Sequence, residues 1–426
     1  MLNNIASHFG AHERWEVFCT EIAGTRVEMR SGRPLESDAR NIQGAGVRLI
    51  TGKTLGASCT SGDLGTAICA ARRAAGYGRP TVIDFPAVTD LPLVENFDPK
   101  VAGRTTTDLA GWLEEAFNAI HVADVHDAAA TAQTQSICRH IVNHKGLCAT
   151  HRSTLLTVSI WANHGDGFET LRESESSCNF DIDLASLFRR FVKTYSLCSG
   201  TASQPGKAMP AMLSEKAAFS LLELLENLLV CIVNAPGSTL FDELRGRPLL
   251  REDVRITDAG AANWLPGSSP FDDEGVPKRL LSVVENGSLK SSIFDLRSAC
   301  LKNVESTGNA TRRFDTTPAP QFNNPALLAG SDSEEDMLAS LRDGLFIDQL
   351  KNIRFVPGAC CEFQAEIGAG FLLREGRWAG PVRALEVTGN LFRVLGEDLA
   401  ALGAKTRRLI RGSAPPIMVK ELHVCN

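Results

Sequence analysis

Apolar and polar positions alternate at period two early in the chain and later change to a period near 3.6. Within VEMRSGRPLESDARNIQGAGVRLITGKTLGASCT (27–60), Val47, Leu49 and Leu55 fall on one side of an extended chain, punctuated by Gly32, Gly44, Gly46, Gly52 and Gly56. That texture predicts short strands separated by turns. GDLGTAICAARRAAG (62–76) follows with Leu64, Ile68 and Ala71 at helical spacing and Asp63 placed to cap the first turn. Residues 106–124 predict a second amphipathic helix, with Leu109, Trp112, Leu113, Phe117 and Ile120 on one face. Alternation returns across 136–173, which reads as three or four strands joined by glycine-containing turns at 143–146 and 164–167.

The polar stretch SLCSGTASQPGKAMP (196–210) interrupts the pattern, as a linker would. SEKAAFSLLELLENLLVCIV (214–233) is the most helical segment, with Ser214 as cap and Leu221, Leu222, Leu225 and Leu229 as a continuous apolar stripe. Beyond residue 250 the texture is β-rich, with turn signals at ENGSLK (285–290), GSDSEED (330–336), REGRW (374–378) and VTGN (387–390). The pattern therefore predicts an α+β protein of two domains. Residues 1–195 form an α/β domain with an antiparallel sheet and helices on one face; 196–207 link it to a β-rich, barrel-like domain over 208–426.

Composition narrows the classes. A chain of 426 residues with 43% hydrophobic and 22% charged residues is that of a globular protein too long for one ordinary core. A net charge of −6 gives no electrostatic footprint for nucleic acid. No apolar run reaches the roughly 18 residues that a membrane span needs, and MLNNIASHFGAHERWE turns polar too early for a secretory signal. The twelve cysteines are scattered without a C-x-x-C pair; only Cys360 and Cys361 adjoin. Reduced thiols in the cytoplasm, with neither membrane nor nucleic acid as partner, are the expectation.

Two stretches carry candidate chemistry. CRHIVNHKGLCATH (138–151) holds Cys138, His140, His144, Cys148 and His151. If 136–142 and 147–160 are strands joined by NHKG, then Cys138 and His140 share a face, His144 lies in the turn, and Cys148 and His151 project from opposite faces. Those side chains do not converge, so the stretch predicts a hairpin rather than a zinc site. PFDDEGVP (270–277) sets Asp272, Asp273 and Glu274 in a row before Gly275. Three carboxylates suit a hard cation or acid–base work, but alternation lets at most two share a face, and capping of backbone amides is the other reading.

The second stretch also opens a longer likeness. FDDEGVP, the ENGSLK turn and STGNA (306–310) occur in the order and spacing of the TldD/PmbA family, once labelled modulators of DNA gyrase. DGLFIDQLKNIRFVPGACCEFQAEIGAGFLLREGRWAGPVRALEVTGNLFRVL (343–395) resembles that family's C-terminal core, and GAGVRLITGKTLGASCTS (44–61) resembles its first glycine-rich segment. The resemblance covers nearly the whole chain and implies paired subunits. One kind, TldD-like, carries a helix with an H-E-x-x-x-H motif whose histidines bind zinc and whose glutamate is the general base; the other, TldE/PmbA-like, lacks the motif and serves as partner. Here the matching helix, LSEKAAFSLLELLENLL (213–229), has no histidine, and none occurs between His164 and His423. His8/His12 and His140/His144 lie outside that helix and are followed by Phe9 and Ile141 where the glutamate should stand. Glu223 and Glu226 alone make a poor zinc site, and Cys425 comes too late to match the family's metal-binding cysteine.

The resemblance therefore implies a non-catalytic subunit with no cofactor of its own. Zinc would sit on a TldD-like catalytic partner in a heterodimer or higher assembly that hydrolyses unfolded or modified peptides or a natural-product intermediate. A self-contained hydrolase using Asp272, Asp273 or a cysteine nucleophile, and a binding or regulatory protein, remain the alternatives. On this reading Asp272, Asp273, Glu274 and Gly275, with Phe363 and Phe371 of the 360–373 strand, face substrate or partner. Gly275, Gly308 and Gly389 are expected in conformations that a side chain would strain, with Asn309 and Asn390 tying their own turns.

Overall fold

β1 (Arg14–Arg30) and β2 (Arg33–Thr51) make one long antiparallel hairpin, not the run of short strands the glycines suggested. Only Ser31 and Gly32, both at positive φ, form its turn, the geometry that matches the right-handed twist of the flanking strands. Gly44 and Gly46 lie inside β2, where a neighbour leaves no room for a side chain. A Cβ on Gly44 would meet the Phe314 ring at 2.4 Å, and one on Gly46 would meet the Phe314 carbonyl at 2.4 Å. These glycines mark a close approach of the second half of the chain.

The computed structural model describes residues 5–119, 125, 127–163, 170–201, 203–235, 237–359 and 361–425. Adding β3 (Thr54–Thr60), β4 (Ala129–Asn143), β5 (Cys148–Ala162) and β6 (Leu171–Ser177) gives a six-stranded antiparallel sheet in the order β3-β2-β1-β4-β5-β6. The turn at 143–146 is where the pattern placed it; the one at 164–167 lies outside the described residues. α1 (Leu64–Ala75) starts at Asp63, whose carboxylate accepts from the Gly65 and Thr66 amides. Its Ala67, Ile68, Ala71 and Ala75 bury against Val17, Val47 and Leu49. The short α2 (Pro99–Ala102) and α3 (Thr106–Ala119) follow; Ile120 and the rest of the expected helix lie outside the described residues. α4 (Leu184–Leu197), capped by Asp183, was not legible as a helix. With α3 it covers Val27, Met29, Leu156, Val158 and Ile160.

After 198–207 the chain enters β7 (Ala208–Leu213). β7 joins Gly344–Phe355, Glu362–Arg374, Glu386–Asn390 and Ile417–Cys425 in a closed barrel of five strands. α5 (Glu215–Asn234) runs over it, with Ser214 accepting from the Ala217 amide at 3.3 Å. Leu221, Leu222, Leu225 and Leu229 are all buried in the barrel core. By length and composition this helix could cross a membrane, but its apolar side is already covered by the barrel. A second sheet contains β8 (Ile256–Ala259) and β9 (Leu280–Glu285). The turns at Asn286–Gly287 and Glu375–Gly376 have positive φ, whereas GSDSEED opens a helix capped by Ser333 and VTGN is strand up to the cap at Asn390.

The halves share their cores and their charges. Ala369 and Phe371 of the barrel join the cluster under α3 and α4. Phe371 stacks on Phe346 at 6.4 Å, and Phe363 fills the barrel core. Both phenylalanines are therefore interior, and the expectation that they face a substrate or partner does not hold: each side chain is buried within the protein's own core.

Candidate functional site

A concavity of about 1150 Å³ lies between α5 and the first sheet. Side chains three and four apart bring Lys216, Phe219, Ser220, Glu223, Glu226, Asn227 and Val230 onto the helix face that lines it. β6 supplies Arg172 and Ser174 opposite, and Gln349–Lys351, Ile353, Ala319–Gln321 and Leu409–Arg411 add to the lining. Both halves of the chain build the cleft, as small-molecule and peptide sites between domains commonly are built.

Its charges are largely spent on structure. Lys216 Nζ donates to Glu173 Oε1 at 2.5 Å, Asp348 Oδ2 at 2.7 Å and the Arg172 carbonyl at 3.3 Å. Burial pulls its pKa down, but the two carboxylates outweigh that and hold it above the ordinary lysine value. Glu173 is buried too, yet Lys216 and Arg407 keep it below the ordinary carboxylate range. Glu226 Oε1 accepts from the Phe322 amide at 2.6 Å, and its other oxygen pairs with Arg411. Burial nonetheless raises the Glu226 pKa, more than Arg411 lowers it. Glu223, in contact with the cleft's solvent, is raised by the surrounding protein mass and by Glu226.

Zinc does not fit this helix. Its cleft face offers no histidine or cysteine, and both oxygens of Glu226 already have partners. Among the described residues no group of three or more His, Cys, Asp and Glu side chains is placed to hold a metal.

CRHIVNHKGLCATH is a hairpin of β4 and β5, with Arg139 opposite His151 and His140 opposite Thr150. The His140 ring shares a hydrogen bond with the Thr150 hydroxyl, and His144 meets the Trp15 carbonyl from the turn. Cys148 is exposed, while His151 is buried.

FDDEG is a clasp between the two halves rather than a surface. Asp272, Asp273 and Glu274 are at most 6% exposed. Asp272 Oδ1 accepts from the Glu274 and Val276 amides at 2.9 and 3.0 Å, and Oδ2 from Ala310 at 3.0 Å. Burial and the neighbouring Glu274 carboxylate push its pKa up to about 7, against those three amides. Asp273 accepts from the Arg312 amide at 2.9 Å and pairs with Arg139 at 3.4 Å. Glu274 bonds Arg48 at 2.6 Å and the Leu296 amide at 2.7 Å. The amide-capping reading is the one realised. Exposure to a substrate or partner is corrected for all three, since first-domain arginines and backbone amides already occupy their oxygens. Gly275 is buried as well: with φ +83°, it has a hypothetical Cβ 2.3 Å from Leu147.

The turn residues divide. Gly308 has φ +74°, and a Cβ there would sit 2.5 Å from the Pro277 carbonyl oxygen. Gly308→Ala is expected to cost ~2 kcal/mol, read as a lower denaturant midpoint. An unchanged midpoint with lost activity would make the segment functional instead. Gly389 is corrected: it lies in a strand without positive φ, and a Cβ there would meet only a tight contact, 3.2 Å from both Phe363 and Val394. Asn390 ties its own turn by accepting from the Phe392 and Arg393 amides. Asn309 does not; its Nδ2 reaches Asp258 at 2.7 Å and the Gln321 carbonyl at 3.0 Å.

Sequence reading named Glu223, Glu226 and the FDDEG carboxylates but missed the distant partners that complete the cleft and the clasp. Arg48 and Glu274 are 226 positions apart, Arg407 and Glu173 234, and Arg312 and Glu16 296. No local spacing signals such pairs.

The chain is thus an α+β protein with an antiparallel sheet in its first half, a closed barrel in its second, and a cleft between them lined by one barrel-borne helix. Residues 205–426 match the PmbA/TldA metallopeptidase C-terminal domain, and residues 15–75 match domain 1 of the same family. The chain belongs to the PmbA/TldD family. Its fold is similar to that of TldE from Thermococcus kodakarensis, with a TM-score of 0.84 and 17% identity over 99% of this chain and 98% of that one. Among sequences, it is 27% identical over 173 residues to a metalloprotease TldD homolog of Buchnera aphidicola, 39% of this chain and 36% of the relative. It is 30% identical over 161 residues to a metalloprotease of Archaeoglobus fulgidus, 37% of each. The matched region spans little more than a third of these relatives.

Proposed function

We propose that this chain is the non-catalytic, TldE-like subunit of a heteromeric metallopeptidase or amide hydrolase. The observation that carries the reading is the cleft face of α5. In a metallopeptidase family it presents Lys216, Ser220, Glu223, Glu226 and Asn227 and no nitrogen or sulfur ligand for zinc. Zinc, activated water and general base then belong to a TldD-like partner. This chain supplies one wall of a shared chamber that excludes folded proteins and admits unfolded or modified peptides, or a natural-product intermediate, within the cytoplasm.

Co-expression with a TldD-like chain from the same genome tests this. A stable one-to-one complex is expected, with hydrolysis that needs both chains and stops on chelation. Full activity from the partner alone, or stoichiometric zinc on this chain alone, overturns the assignment.

A further inference from the structure

β3 pairs with β2 only over Ala45–Thr51. From Arg33 to Gly44, β2 therefore has β1 on one side and, among the described residues, no strand on the other. Nearly every residue from Arg33 to Gln43 is exposed, yet the register with β1 is unbroken from Glu36 to Ile50. Such an edge offers a row of backbone donors and acceptors to another strand. Its side chains decide which strand fits.

We propose that this edge, Glu36–Ile42, pairs antiparallel with the same edge of a second copy of the chain, centred on Ala39, so that the two sheets become one. The inference is independent of the subunit role argued above. A two-fold axis normal to a sheet keeps each face on its own side, so only registers opposing residues of like parity continue the sheet. Centring on Asp38 opposes Glu36 to Arg40 twice but sets carboxylate against carboxylate at its centre, and centring on Arg40 sets guanidinium against guanidinium. Centring on Ala39 opposes Asp38 to Arg40 twice, Ser37 to Asn41 twice and the small Ala39 to itself. Opposite charges across a strand pair attract, and like charges repel. Within one chain Asp38 and Arg40 already lie on the same face, 3.3 Å apart. The dimer would close a four-charge square of alternating sign. A uniformly charged edge would repel its own copy; this one is self-complementary.

Sedimentation of the full chain over a concentration series tests the pairing. The parent is expected to form a dimer. D38R and R40D are each expected to weaken it by about tenfold or more, because each sets two like-charge pairs in the interface. The double variant D38R/R40D, which restores the alternation with signs exchanged, is expected to recover dimerisation. Circular dichroism and thermal melts confirm that each variant is folded. A monomeric parent, single variants that dimerise as the parent does, a double variant that stays monomeric, or association only with an unlike subunit each overturns the proposal.

Discussion

An Arg48→Ala variant is expected to unfold with ~3–5 kcal/mol less free energy than the parent. Arg48 is 4% exposed and is held between two carboxylates from opposite halves of the chain. Its guanidinium donates to Glu16 at 2.9 and 3.0 Å and to Glu274 at 2.6 Å. Removing it leaves Glu274 with only the Leu296 amide and a buried charge, while Glu16 keeps Arg312. The cost comes from the stranded carboxylate more than from the attraction lost. The pH dependence has a definite sign. Burial works to raise Glu16, but Arg312 and Arg48 overcome it and hold its pKa below the ordinary value. Its contribution is therefore complete above the unfolded carboxylate pKa and is lost as pH falls through the lower folded value. Denaturant titration at neutral pH is the measurement; a loss below ~1 kcal/mol, the size of a surface pair, would show that the clasp does not hold the halves together.

That clasp explains what the sequence concealed. Local periodicity was enough for α1 and α5, because Asp63 and Ser214 cap helices whose apolar stripes are read at short range. The NHKG hairpin was legible for the same reason. Gly44 and Gly46 were misread because the atom that demands their bareness is Phe314, from the other half of the chain. Three carboxylates in a row left amide capping and a substrate- or partner-facing role both open, since unpaired buried charge is costly. They are interior because Arg48 comes to meet Glu274 and Arg139 to meet Asp273 from distant positions, while backbone amides, those of Ala310 and Arg312 among them, satisfy Asp272 and the rest of Asp273. The cleft shares this logic. α5 could be placed from its pattern, but the wall it faces depends on Lys216 and Arg407 engaging Glu173 across the domain boundary. Family likeness located the helix; only the fold revealed which of its side chains were already committed.

His151 should make stability fall between pH 6.5 and 4 in a way that His151→Gln removes. The ring is 7% exposed, and its Nε2 has no hydrogen-bond partner. Burial first, then the nearby Arg139 and Lys278 charges, lower its pKa from 6.5 to about 4. In that window the unfolded chain binds a proton that the folded chain refuses, so acidification favours unfolding; above 6.5 the residue contributes no pH dependence. Two and a half pKa units correspond to about 3 kcal/mol at full development. Carboxylates such as Glu16 and Glu173, held below their ordinary values, add their losses at lower pH. The comparison is therefore made at pH 7 and near pH 4.5, by denaturant midpoints of parent and variant. The parent is expected to lose about 2–3 kcal/mol more than His151→Gln between the two conditions. Glutamine keeps a polar group of similar reach without a proton to take up, so packing changes shift both conditions alike and cancel in the difference. Parallel losses would mean that the ring is protonated in the folded protein, with Asp273 or water stabilising the added charge.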